Sequence, residues 1–343
     1  MRVCLFSLLV FFFVTGHSQD PPKVSLFDSL AHLQKIEIAL TYPFDSLYKS
    51  NNNDVEAVIS ISSASGHLIS SAPINLNLRG KFRRMKCTMP PLMLNFKKST
   101  LREMGLANVD EMKLVTHCID GKEGENNLQE EFLLYQIYQN ITPVSYRTIW
   151  AEVTYTDTNN PDKRVHTVGF LIEPDKVISS RLGMDERKLY NLQQDSVCFE
   201  SYSMAAAFNF LIGNRDWSVT ASRNAKLFYK PDLGKYVVIP YDFDYSNIVG
   251  ASYRRETLPK TMKHPFDRIY TGEYYGDKSG EMLKTFAELE KPIFETIFSS
   301  SNLMDPARRN QISNYFKTWF DMIRKTKPGE LKYGTICAYK GEL

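Results

Sequence analysis

The chain of 343 residues is 43% hydrophobic and 13% aromatic, enough apolar surface to bury a large core in two domains or lobes. Its 42 basic and 39 acidic side chains are interspersed and leave a net charge of +3, which gives no electrostatic reason for a nucleic-acid partner. Five cysteines, none in a CxxC pair and none at ligand spacing from a histidine, argue against zinc.

The chain opens on a predicted leader. Arg2 precedes a nearly unbroken apolar run over residues 4–14, and Gly16 and Ser18 supply small residues at a cleavage point near residues 18–19. Residues 1–18 therefore read as a secretory signal peptide; a retained N-terminal anchor is the alternative, disfavoured because the run is short for a membrane span. No other apolar run reaches membrane-spanning length, so there is no transmembrane segment after cleavage. The mature chain of about 325 residues is expected to be globular and exported, whether periplasmic, cell-surface or secreted. In that setting Cys87 and Cys118 are the first candidates for a disulfide, with buried free thiols an equal alternative, for these two and for Cys198 and Cys337.

Residues 23–76 alternate apolar and polar in short runs ("KIEIALTY", "EAVISISS", "INLNLRG"), the period of strands. "PPLMLNFKK" and "MKLVTHC" continue the pattern. Residues 126–141 then repeat apolar side chains at helical spacing, with Glu130 and Glu131 in the expected first turn. Strands return in "TIWAEVTYTD" and "HTVGFLIE". From about residue 177 the pattern changes: "CFESYSMAAAFNFLI" reads as a buried helix stopped by Gly213, followed by a loop, a short hairpin and two helical stretches. A β-rich part with one long helix (19–172) before a mostly helical part (173–343) predicts an α+β chain in two lobes.

Two stretches carry the chemistry. "NRDWSVTASRNAKLF" (214–228) holds Asp216 and Asn224 on a loop, and "YDFDYS" (241–246) places Asp242 and Asp244 after the next hairpin. Hard divalent cations select carboxylate and amide oxygens, and phosphoryl transfer needs an orienting acid, such ligands, and cations on the phosphates. By spacing alone a solvated acidic loop is the commoner origin of such a pattern.

"LRGKFRR…PPLMLNFKK", "MKLVTHC", the 126–141 helix, "GFLIE", "FLIGNRDWSVTASRN" and "VIPYDFDYS" together resemble the spore-coat CotH kinase family, most of all its exported Bacteroidetes-type members, over residues 70–250. The resemblance implies an atypical protein-kinase-like two-lobed fold, and the use of ATP with Mg²⁺ or Mn²⁺ to phosphorylate a hydroxyl of a protein substrate. It implies Asp216 as the catalytic acid–base, and Asn224 and Asp242 as metal ligands with Asp244 as a further one. It places Glu173 at the inter-lobe hinge near the adenine. It also implies a lysine, Lys97 or Lys113, on the phosphates and paired with Glu130 or Glu131. Arg79, with Gly80, Lys81, Arg83 and Arg84, stands in for the missing glycine-rich phosphate loop. Two departures are visible. Asp216 and Asn224 are eight residues apart rather than five, so the loop must bulge, and Arg223 stands where the family commonly has histidine. The competing reading is an inactive pseudokinase serving as a surface-binding scaffold. Acceptor identity and oligomeric state have no signature in the sequence.

Overall fold

A computed structural model describes residues 23–49, 54–80, 83–254, 259–272, 278–300, 303–341 and 343; the expected signal peptide lies outside them. The alternating runs form seven strands: β1 (Lys35–Tyr42), β2 (Val55–Ser63), β3 (Leu68–Leu78), β4 (Leu92–Phe96), β5 (Glu111–Thr116), β6 (Thr148–Asp157) and β7 (Asn160–Ile172). Four short or mid-length helices, α1 (Leu26–Leu30), α2 (Phe44–Lys49), α3 (Arg83–Lys86) and α4 (Lys98–Glu103), decorate the early strands, and α5 (Lys122–Ile141) separates β5 from β6. The strand order is β1-β2-β3-β4-β5-β7-β6, and it closes because β6 also pairs with β1, in parallel, with Ile38 opposite Val153. Every other pair in the barrel is antiparallel.

This closed seven-stranded barrel overturns the expected kinase-like two-lobed fold with a mostly helical second lobe. The physical reason lies in what alternation encodes. A period of two fixes which side chains face inward, namely Ile36, Ile38 and Leu40 on β1 and Ile59 and Ile61 on β2, but an open sheet and a closed one share that period. Closure rests on one parallel pairing between strands distant in sequence, which no local pattern records.

The remainder of the chain carries α6 (Asp175–Leu182), β8 (Asp185–Arg187), α7 (Phe199–Ile212), β9 (Ala225–Lys230), β10 (Lys235–Pro240), β11 (Arg268–Ile269), α8 (Lys278–Ala287), α9 (Glu290–Ser299), α10 (Pro306–Lys325) and β12 (Ile336–Cys337). Strands β10, β9 and β8 make a three-stranded sheet, and β11 pairs with β12. Two apolar cores result. One fills the barrel. The other gathers Phe132, Leu134 and Tyr138 of α5, Phe208 and Leu211 of α7, and Trp319 and Phe320 of α10. Helix α5 thus lies in the N-terminal part by sequence and in the second core by packing. It covers the outer wall of the barrel, where Trp150 and Phe170 face it, so β6 and β7 are buried on both sides along part of their length. Cys87 and Cys118 are joined in a disulfide, while Cys198 and Cys337 are buried free thiols. Among the described residues, no helix is long and apolar enough to cross a membrane.

Candidate functional site

Helix α7 is apolar on nearly all sides and is buried accordingly. It ends at Gly213, whose left-handed backbone (φ 68°) turns the chain, and a Cβ there would lie 2.5 Å from the Asn247 amide nitrogen. The turn buries Asn214, which donates to Asn209 Oδ1 (2.9 Å) and accepts the backbone N–H of Asp216 (3.0 Å). Asp216 is thereby set at the mouth of the loop. The chain then folds back on itself: Ser218 and Arg223 exchange both backbone hydrogen bonds, at 2.8 and 2.9 Å. This closed loop absorbs the long spacing and returns Asn224 to Asp216, where its Nδ2 donates to the Asp216 carbonyl (2.7 Å) and to Oδ2 (2.9 Å). Arg223 Nε lies 3.2 Å from Asp216 Oδ1.

The β9–β10 hairpin carries the chain out and back, and Tyr241 N–H bonds the Asn224 carbonyl (3.1 Å). Asn224 (φ 49°) and Asp242 (φ 62°) both adopt left-handed backbone, a strained state for residues other than glycine that requires surrounding support. For Asp242 the support is the Tyr135 hydroxyl of α5, which accepts its N–H at 2.8 Å. Phe243 turns inward against Tyr135 and Phe208, so Asp242 and Asp244 emerge on the other side together.

Both meet Arg83. Its Nη2 lies 2.8 Å from Asp242 Oδ1, 2.8 Å from Asp244 Oδ2 and 3.5 Å from Glu131 Oε2. Asp244 also accepts from the Tyr253 hydroxyl at 3.0 Å. Burial pushes the Glu131 carboxyl up to about 8, with Arg83 opposing and the two aspartates adding to the rise. Burial raises Asp244 to about 6 against the same arginine. Burial works against the charge on Arg83, yet Asp244, Asp242 and Glu131 outweigh it and hold the guanidinium firmly protonated. Asp242 is the open member, its side chain 39% exposed against 4% for Asp244.

Beside this cluster a narrow cavity of about 70 Å³ is lined by Arg79, Lys113, Tyr146 and Tyr241 as well as Asp242. Burial lowers the basicity of both Arg79 and Lys113. Lys113 pairs with Asp175 (3.2 Å), which also receives Lys226 (3.0 Å) and the Tyr146 hydroxyl (2.6 Å). Four cations, Arg79, Arg83, Lys113 and Lys226, and four acids, Glu131, Asp175, Asp242 and Asp244, therefore gather at the junction of barrel and hairpin.

The other expected residues lie apart. Lys97 precedes α4 and lines a separate groove on the barrel with Asn75 and Thr158. Glu130 points away from Glu131 and pairs with Arg308 (2.6 Å); burial raises it to about 7. Glu173 is 0% exposed and held by Arg147 (2.6 Å) and Arg181 (2.9 Å), an internal clamp between β7 and α6. The cation paired with Glu131 is Arg83 rather than either lysine. Tyr135, Asp175 and Lys226 carry no signal in the sequence, since each acts through a contact made across the fold. Arg83, expected among the basic residues of the stand-in phosphate loop, is taken up instead by Glu131, Asp242 and Asp244; it stands four residues before Cys87, whose disulfide pins that segment to the end of β5.

Asn224, Asp242 and Asp244 offer the hard oxygens that Mg²⁺ or Mn²⁺ prefers. Among the described residues, no three His, Cys, Asp or Glu side chains are grouped to enclose a metal. The donor set fits instead an ion held by one or two carboxylates and completed by phosphate and water oxygens, as Mg²⁺ usually is. The Asn224 amide nitrogen is committed to Asp216, which leaves Oδ1 as its ligating end, and Asp242 is the accessible carboxylate.

No family model matches the chain, and no curated protein matches it significantly.

Proposed function

We propose that this protein is an exported phosphotransferase that uses ATP and a divalent cation to phosphorylate a hydroxyl of a protein substrate. The observation that carries the reading is the chain of contacts at the open end of the β9–β10 hairpin: Asn224 bonds Asp216, its carbonyl accepts from Tyr241 N–H, and the next residue, Asp242, lines the cavity with Arg79 and Lys113. The resemblance to the CotH kinases implies the same roles for Asp216, Asn224, Asp242, Arg79 and Lys113, while its kinase-like fold, its lysine–glutamate pair and its Glu173 hinge do not hold.

In this reading Asp216 receives the acceptor hydroxyl proton on its carboxylate. Asn224 fixes the rotamer of that carboxylate through its Nδ2 contact, and Asn214 fixes its backbone. Arg79 and Lys113 bind phosphate oxygens, Arg79 in planar fashion and Lys113 as a point charge. Asn224 and Asp242 would hold the divalent ion, which supplies charge neutralisation on the transferring phosphoryl group. Arg83 keeps Asp242 and Asp244 oriented from behind. The cavity of about 70 Å³ is smaller than the roughly 300 Å³ at which ligand pockets begin, so nucleotide entry requires side chains of its lining, such as Arg79, to move aside.

The scaffold reading keeps one specific observation in its favour. Arg223 on Asp216 and Arg83 on Asp242 already give the site's acids internal cations. The two readings separate on transfer of label from γ-labelled ATP to protein in the presence of Mn²⁺, with Asp216→Asn alongside. Transfer that falls about 100-fold or more in the variant is expected, the scale of a lost general base; label that moves equally well in both would remove Asp216 from the chemistry.

A further inference from the structure

Helices α7 and α8 pack against each other, and a groove of about 550 Å³ lies between them. Its lining shares no residue with the cavity beside Asp242. From α8 and the turn that follows it come Glu281, Met282, Thr285 and Leu289, which recur at helical spacing along one stripe. Phe199, Ser203 and Met204 supply the α7 wall.

Floor and rim differ in character. Met282 and Phe286 are 7% and 3% exposed and anchor α8 in the second core. Phe199, Met204 and Leu289 stay half-buried, so an apolar strip is left partly open to solvent. The Ser203 side chain, 7% exposed in the same lining, has a hydroxyl that makes no hydrogen bond, so this wall is incompletely satisfied as it stands. Around the strip Glu200, Glu281 and Glu288 are exposed, against a single base, Lys278. Lys278 lies over the Phe199 ring at 6.0 Å, and Glu200 accepts from the Cys198 thiol at 3.2 Å. Glu290, just beyond, pairs with Arg324, whereas among the described residues neither Glu281 nor Glu288 has an ion-pair partner.

We propose that this groove docks a basic amphipathic helix of a partner protein. Glu281 and Glu288 stand seven residues apart, roughly 10 Å along the axis, so two bases seven residues apart on a docked helix reach both carboxylates at once. Large apolar side chains between those bases, on the same face of the partner helix, lie on Phe199, Met204 and Leu289. Methionine side chains repack around varied partners, as helix-binding surfaces require. A small lipophilic amine carries one charge and leaves the second glutamate unmatched. An anionic ligand meets three carboxylates, and an extended peptide finds no strand edge, since both walls are helical. The inference does not rest on the phosphotransfer reading, and either can fail alone.

The test is selection on the immobilised full chain from a displayed library of helical peptides randomised at both charged and apolar positions, followed by calorimetry with the enriched peptides. Enrichment of helices with Lys or Arg flanking an apolar stripe is expected. The double variant Glu281→Lys, Glu288→Lys is expected to weaken them at least ten-fold, because it sets like charges against each other. The double variant Glu56→Lys, Asp162→Lys makes the same change in net charge at exposed barrel positions and is expected to bind as wild type does. Circular dichroism of both variants separates lost contacts from lost folding. Enrichment of neutral or acidic helices, enrichment of none, or equal loss of affinity in the two folded variants would overturn the assignment, as would unchanged affinity in the groove variant.

Discussion

Arg83 is one nitrogen shared among three carboxylates, and its removal would leave Glu131, Asp242 and Asp244 crowded without a cation. Breaking a buried charge cluster in this way costs roughly 3–5 kcal/mol. Arg83→Met is therefore expected to lower the urea midpoint strongly, and adding millimolar Mn²⁺ is expected to restore more stability to the variant than to wild type. Equal responses of the two proteins to Mn²⁺ would mean that Asp242 does not take part in cation binding. The same residue shows where sequence reading stops. A lysine paired with a glutamate of the long helix was the expected device, and Lys97 and Lys113 were its candidates. The glutamate Glu131 does take a cation, but from α3, because the segment before Cys87 is folded over the end of the barrel. Nothing in the composition of that basic stretch distinguishes Arg83 from Arg84.

At the scale of elements, α3 is a single turn with little apolar surface of its own, and it is held by the ion pairs of Arg83 and by the Cys87 and Cys118 disulfide across 31 residues. Cross-linking a loop of that length stabilises a chain by about 3–4 kcal/mol. The double variant Cys87→Ser, Cys118→Ser is expected to lose that stability and, with it, the placement of Arg83. A thermal midpoint unchanged by the double substitution would show that α3 is held by other means. Local signals located this element set well: the long helix, the buried helix ending at Gly213 and the β9–β10 hairpin were all legible, since periodicity and a glycine stop are recorded within a dozen residues. The bulge demanded by the long Asp216 to Asn224 spacing was legible too, and it takes the form of the Ser218 and Arg223 loop. Barrel closure was not legible, because Ile38 meets Val153 through a pairing set by the whole sheet.

For the molecule as a whole, buried acids govern the pH response between the ordinary carboxylate range and neutrality. Burial raises Asp244 to about 6, Glu130 to about 7 and Glu131 to about 8. The folded chain thus holds protons that the unfolded chain has released, so stability is greatest below about pH 4.5 for these groups and falls as pH rises toward 8. Each group contributes a slope of up to about 1.4 kcal/mol per pH unit within its own window. The urea midpoint is expected to fall from pH 5 to pH 8 and to fall less in Glu130→Gln; a midpoint that rises over that interval would contradict the assignment of these burial effects.

Asp242, Asn224 and the neighbouring cations are proposed to form a site for a metal-bound nucleotide. It is tested most directly by calorimetric titration of the full chain with ATP, with and without Mg²⁺ or Mn²⁺, beside Asp242→Ala. Binding that requires the metal and disappears in the variant is the expected result. A folded wild-type chain that takes up no ATP with either metal would contradict it and leave the scaffold reading in its place.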